Sequence, residues 1–206
     1  MKYLDFHKAF SALGCFDINQ VKMVQPDFDR CALTRWMAAG YITHLKNGLY
    51  AFTEWISTPG ADLIAANLMY RPSYVSLHSA LSHYGMIPEF VTHTTSVTTL
   101  KTAVFKNDLG TFDYRHIKPE LFWGYQIIDT ISSRKTLIAV PEKALLDLLY
   151  LTPGLKNEDD MLHLRLDEDY MTGEFNYDQA QQYLERFNSK ALSQRFNLLQ
   201  KVYLYD

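Results

Sequence analysis

Between residues 25 and 52 the apolar positions change their period. Leu33, Trp36, Met37 and Gly40 fall at i, i+3, i+4 and i+7, a single stripe that predicts a helix burying these residues and turning Thr34, Arg35 and Ala38 outward. Arg30 flanks the outer face. Asp27 or Asp29 can cap the first turn just after Pro26, and Gly40 can take the left-handed conformation that ends the helix. From Tyr41 the chain reads as extended. Asn47-Gly48 lies between runs rich in Tyr, Ile, Leu and Phe, and both residues tolerate the positive φ that a type I′ hairpin turn requires. Ile18, Val21 and Val24 are spaced for a short helix before the Gln25-Pro26-Asp27 turn. Two helices and a hairpin in this order predict a winged helix-turn-helix. A further helix over residues 3–13 precedes it, with Gly14 as its stop.

The pattern changes again at Ser57-Thr58-Pro59-Gly60, a cluster of turn formers without periodicity, which divides the chain into residues 1–56 and 61–206. The second segment opens with a helix over 61–70. Residues 72–76 are extended, a helix follows over about 77–84, and Gly85 and Pro88 end it. Residues 90–140 are rich in Thr, Val, Ile, Tyr and Phe and are punctuated at Asn107-Asp108 and Ser132-Ser133, which predicts a mainly antiparallel sheet. Pro141 starts a helix with Glu142 in its first turn, where the macrodipole favours it, and Leu145, Leu148 and Leu149 can pack on the sheet. An acidic loop over 157–160 and helices over about 177–186 and 190–204 complete an α+β fold, a winged helix-turn-helix followed by a larger mixed domain whose sheet is flanked by helices.

Composition adds boundaries to this reading. The chain has 206 residues, 48% hydrophobic and 21% charged, which is ordinary for a globular protein. No apolar run is long enough to span a membrane, and Lys2, Asp5 and Lys8 interrupt the N-terminus, so the expectation is a cytoplasmic chain with no membrane partner. Cys15 and Cys31 are too few for a zinc site, the histidines show no metal spacing, and there is no Gly-rich phosphate loop, so no cofactor is expected. The net charge is −3. Six Lys or Arg stand against five Asp or Glu in residues 1–60, and six against ten in 151–206. A near-neutral first domain can still hold DNA through a local patch of Arg30, Thr34, Arg35, His44, Lys46 and Asn47, with modest and salt-sensitive affinity that a homodimer would raise by doubling the contacts.

In the second segment the polar residues within apolar surroundings are Ser76, Ser79, Glu142 and Lys143. Ser76 and Ser79 have the positions of cap and packing residues, and no GxSxG elbow surrounds either. Thr92, Thr94, Thr95, Lys101, Arg115 and His116 can form a polar sheet face turned to RNA, protein, nucleotide or solvent.

The segments SYVSLHSALSHYGMIPE and IAVPEKALLDLLYL, in that order behind a winged helix, resemble the AbiEi-type antitoxins, transcriptional regulators of abortive-infection (type IV) toxin-antitoxin systems. The matching residues are Tyr74, Ser76, Ser79, Ala80, Leu81 and Gly85, then Ala139, Pro141, Glu142, Lys143, Ala144, Leu145 and Asp147. The resemblance covers nearly the whole chain. It implies a non-enzymatic repressor that binds operator DNA upstream of its own operon and counteracts a nucleotidyltransferase-like toxin without a stable toxin complex. It also directs attention to Ser76, Ser79, Arg115, Glu142 and Lys143 in the antitoxin domain. Two alternatives stand beside it: a protein-interaction module whose winged helix does not bind DNA, and an enzyme using Ser76, Ser79, Glu142 and Lys143.

Overall fold

The computed structural model describes residues 1–89, 91–129 and 134–204. Its first unit is built on aromatic residues. α1 (Tyr3–Phe10) buries Phe6 and Phe10 and continues as a short 3-10 turn to Leu13, and Gly14 reverses the chain at φ 66°. β1 (Cys15–Asp17) leads into α2 (Ile18–Val24), whose start is fixed by a capping box between Asp17 and Gln20. α3 (Cys31–Ala38) follows the turn. Asp29, rather than Asp27, holds its entry by accepting from the Cys31 N–H at 2.9 Å. Leu33 and Trp36 are buried as the stripe requires, whereas Gly40 is exposed and serves only as the left-handed stop, at φ 72°. Val24, placed by its spacing on the buried side of α2, is 68% exposed because the helix ends there.

β2 (Ile42–Lys46) and β3 (Leu49–Phe52) form an antiparallel hairpin, and β1 pairs with the far side of β3. The hairpin tip departs from the type I′ expectation. Only Gly48 has positive φ, at 78°, and the pairing shifts register between His44 and Lys46. A bulge therefore supplies the twist that two left-handed residues would otherwise give. Phe6 lies at the centre of the unit, with its ring 4.6 Å from Trp36, 5.0 Å from Phe16 and 5.8 Å from Phe52.

Residues 53–60 form turns and bends. The second unit begins with α4 (Ala61–Met69), β4 (Ser73–Val75) and α5 (Leu77–His83). β5 (His93–Thr98), β6 (Ala103–Asn107), β7 (Gly110–His116), β8 (Tyr125–Asp129) and β9 (Lys135–Ala139) follow. The turn expected at Asn107-Asp108 is closed by the Asn107 side chain, which accepts from the Leu109 N–H. The one expected at Ser132-Ser133 lies outside the described residues. Among those described, the strands form one sheet in the order β6-β7-β5-β4-β9-β8. β6–β7, β5–β4 and β9–β8 are antiparallel, while β7–β5 and β9–β4 are parallel. The sheet is thus mainly antiparallel within a mixed α+β chain.

Neighbouring residues of a strand face opposite sides. Thr94 donates to Asp62 of α4, and Thr95 bonds to Ser79 of α5, so helices cover both faces of β5. This corrects the expectation of a polar sheet face at these positions. Thr94 and Thr95 are buried and internally bonded, leaving Thr92, Lys101, Arg115 and His116 exposed. α6 (Pro141–Leu151) packs against α5. α7 (Glu158–Leu162), α8 (Glu168–Gly173), α9 (Tyr177–Phe187) and α10 (Lys190–Leu204) close the chain. The acidic stretch read as a loop is the first turn of α7. Asn157 and Asp160 form its capping box, and Glu158, Asp159 and Asp160 sit where the helix dipole favours negative charge.

The two units are joined by more than the linker. Arg134 donates to the Cys15 carbonyl at 2.7 Å, and Asn107 donates to the Leu45 carbonyl at 3.1 Å. Thr43 also donates to Asp108.

Candidate functional site

Two regions gather the residues singled out by sequence. The first is the outer face of α3. Thr34 and Arg35 are exposed on it, and Arg30 is exposed at its entry. Arg35 stands 3.5 Å from Asp29, with both side chains more than half exposed. An exposed pair of this kind contributes about 0–1 kcal/mol, so the guanidinium can exchange it for a phosphate or a base edge. His44 is exposed on β2 with its ring 5.2 Å from Tyr50, and Asn47 is exposed at the hairpin tip.

Lys46 is different. Its ammonium donates to the Met69 carbonyl of α4 at 2.8 Å and lies 4.0 Å from the Phe105 ring centre and 4.3 Å from that of Tyr70. Burial moves its pKa down. A cation bound to a carbonyl between two aromatic faces is a structural strut, and this geometry sets Lys46 apart from the other residues expected to meet DNA.

The second region is the interior between β4, α5 and α6. The strand-to-helix turn after β4 places Ser76 at the head of α5, and the helical spacing of α6 places Lys143 and Asp147 one turn apart. All three side chains, with that of Tyr74, are fully buried. Ser76 and Tyr74 each donate to Asp147 Oδ2 at 2.9 Å. Lys143 donates to the other carboxylate oxygen and, at 2.8 Å, to the Tyr74 hydroxyl. The Lys143 ammonium also lies 4.9 Å from the Phe187 ring centre and 5.0 Å from that of Trp123. Three donors thus converge on one carboxylate, and a ring of aromatic faces surrounds the cation.

Burial drives the Lys143 pKa down and that of Asp147 up, and the attraction between the two opposes both shifts. Burial, and then the charge of Asp147, push the Tyr74 hydroxyl well above its usual range. Gly124 passes directly over this lysine. Its φ is 74°, and a Cβ there would stand 2.8 Å from Lys143 Cγ.

The other expected residues have separate duties. Ser79 accepts from the Thr95 N–H at 2.8 Å and donates to the His93 carbonyl at 3.2 Å, stapling α5 to β5. Glu142 is buried and accepts from the Asn176 N–H at 3.2 Å, which ties α6 to the start of α9. Arg115 is exposed on β7 beside a cavity of about 300 Å³ shared with His78 and Asp113, apart from the buried cluster. Ser76, Ser79, Glu142 and Lys143 therefore do not form one reactive group. Ser76 is bonded to a carboxylate, and no surface opens onto it.

Asp147 is the hub that sequence reasoning passed over as a motif letter. The signal was present: a Lys and an Asp at i and i+4 within a run otherwise of Ala and Leu must satisfy each other when that face is buried. Among the described residues, no group of three or more His, Cys, Asp or Glu side chains is placed to hold a metal ion, and no helix is long and apolar enough to cross a membrane. No protein-family model and no curated protein matches this chain.

Proposed function

We propose that the chain is a DNA-binding regulator and antitoxin of the AbiEi type. In this reading residues 1–56 are a winged helix-turn-helix that reads operator DNA, and the larger domain counteracts a nucleotidyltransferase-like toxin. The observation that carries the DNA half is the geometry of α2, α3 and the β2–β3 hairpin, in which the second helix keeps one face in the aromatic core and offers Arg30, Thr34 and Arg35 to solvent. The convergence of the two resembling segments on Asp147 supports the family half. The motif letters Tyr74, Ser76, Lys143 and Asp147 bond to one another in the fold. Their role is to lock α6 to β4, and the toxin-facing chemistry belongs to the surface.

A second reading, a protein-docking module that does not bind DNA, draws on the hairpin. Its β2 edge and Lys46 are occupied by the second unit, so this wing has less freedom to enter a groove. Gel shifts on the DNA upstream of the chain's own gene separate the two readings. Rescue of growth from a neighbouring nucleotidyltransferase, with the chain expressed from an unrelated promoter, tests the antitoxin half. Failure of rescue by the well-expressed intact chain would overturn it.

A further inference from the structure

In the second unit, between α4, β4 and β9, lies a cavity of about 520 Å³, within the roughly 300–1,000 Å³ range of small-ligand sites. Its cations are Arg71, Arg134 and Lys135, and no carboxylate is among its described lining residues. It opens beside a second cavity of about 490 Å³ that shares Arg71 and Arg134. Arg71 stands just after α4, held by its Nε donating to the Asn67 carbonyl at 3.2 Å; among the described residues its terminal nitrogens make no bond. Lys135, at the start of β9, pairs through its backbone with β8, and among the described residues its ammonium has no bonded partner. Arg134 is oriented by its bond to Cys15, so its charge is fixed at the boundary of the units. The guanidiniums of Arg134 and Arg71 both pull the pKa of the nearby Cys15 thiol downward, against the larger effect of burial, which marks the local potential as positive.

Two further features point to what such a cavity takes. Phe122 and Tyr125 line it, with rings 5.4 Å apart, and Tyr125 is stacked 5.0 Å from Tyr74, so an aromatic surface is oriented before any ligand arrives. Ser73 also lines it; the residue is 3% exposed, and among the described residues its hydroxyl has no hydrogen-bond partner. An unpaired buried hydroxyl costs about 1–3 kcal/mol, which a ligand atom recovers by bonding to it.

We infer that this cavity binds a free nucleotide, with its phosphate on Arg71 and Lys135 and its base against Tyr125 and Phe122. Arginine supplies bidentate bonds to phosphate, and aromatic faces accept any base. The ligand sits beside Arg134, whose bond to the Cys15 carbonyl ties the second unit to the first. This site is independent of the antitoxin reading and stands whether or not the chain binds DNA.

The test is calorimetric titration of the intact chain with AMP, ADP, ribose 5-phosphate, inorganic phosphate and a five-nucleotide single strand. AMP or ADP should bind saturably at one site, with phosphate weaker by at least about tenfold. Arg71→Ala should weaken the nucleotide by about tenfold or more, and Tyr125→Ala should reduce AMP to the affinity of ribose 5-phosphate, with thermal unfolding confirming that both variants fold. Absence of saturation by either nucleotide at about 5 mM would overturn the inference. So would affinities unchanged in both variants, or a strand that binds more tightly than the mononucleotides.

Discussion

Tyr74 and Asp147 lie 73 positions apart in the chain and share a 2.9 Å hydrogen bond in the interior. The bond closes a ring in which Lys143 donates to both of them, so the side chains of Tyr74, Ser76 and Lys143 all depend on one carboxylate.

Removing that carboxylate alone leaves a buried ammonium without its counter-charge and two hydroxyls without their acceptor. Asp147→Leu should cost about 3–5 kcal/mol in urea unfolding, the range for breaking one side of a buried pair. Lys143→Met combined with Asp147→Leu should be less destabilised than Asp147→Leu alone, because only the hydroxyls of Tyr74 and Ser76 then lack partners. A double variant as unstable as the sum of the single ones would refute the ring.

Gly124 tests the same cluster from above. Gly124→Ala forces an L residue to φ 74° and presses a Cβ to within 2.8 Å of Lys143 Cγ. The left-handed backbone costs about 1–2 kcal/mol and the overpacking about 1–3. A loss of about 2–4 kcal/mol in chemical denaturation is expected, and a neutral substitution would show that the lysine stem can move aside.

Elements with one buried stripe or a strong stop were legible in the sequence. α3 stopped just before the left-handed Gly40, α6 began at Pro141, and the apolar spacing at Ile18 and Val21 placed α2. The failures share a cause, which is contact between segments distant in the chain. Thr94 and Thr95 looked like a solvent face because threonine is polar, yet α4 and α5 supply their partners from either side of the sheet. Lys46 looked like a phosphate contact because a hairpin lysine usually is exposed, and nothing local announces Met69, Tyr70 and Phe105 around it. The acidic run at 157–160 failed for a local reason instead, since its capping box was readable and its charge was given too much weight. Of the polar interior, Lys143 was legible as unusual, but its partner was read only as a letter of a motif.

Lys46→Ala should therefore behave as a loss of stability, with the proposed DNA-reading face of α3 unchanged. It removes a charged hydrogen bond and two cation–π contacts between the units, for a cost of about 1–2 kcal/mol. Thermal unfolding of the variant should show the loss, while its affinity for DNA relative to the parent stays the same. A weakened affinity at unchanged stability would return Lys46 to the DNA-binding set.

Alkaline pH should destabilise the fold by a route that names its groups. Burial pushes the Cys15 thiol from its ordinary 9.0 up to about 11, and it also raises the Tyr74 and Tyr114 hydroxyls. Groups with raised folded values hold protons that the unfolded chain has released. Their stabilisation is complete below pH 9 and is lost as pH climbs towards and through the folded values. Lys143, lowered by burial, acts in the opposite sense, so the variant lacking the Lys143–Asp147 pair should decline more steeply. Urea unfolding at a series of pH values from about 8 to 11 measures the slope. Tyrosine absorbance should show Tyr74 and Tyr114 ionising only together with loss of helicity. Under native conditions a thiol reagent should modify the exposed Cys31 and spare Cys15.

The measurement closest to the central claim is fluorescence anisotropy of the intact chain on DNA from upstream of its own gene, at several salt concentrations, beside Arg35→Ala. Binding should weaken linearly in log salt with a shallow slope, as few phosphate contacts require. Arg35→Ala should cost about 1–3 kcal/mol if the arginine reads a base, and less if it meets a phosphate, with the unfolding midpoint unchanged. Upstream DNA bound no more tightly than unrelated DNA, or an affinity indifferent to Arg35, would contradict the assignment of α3 as the reading helix.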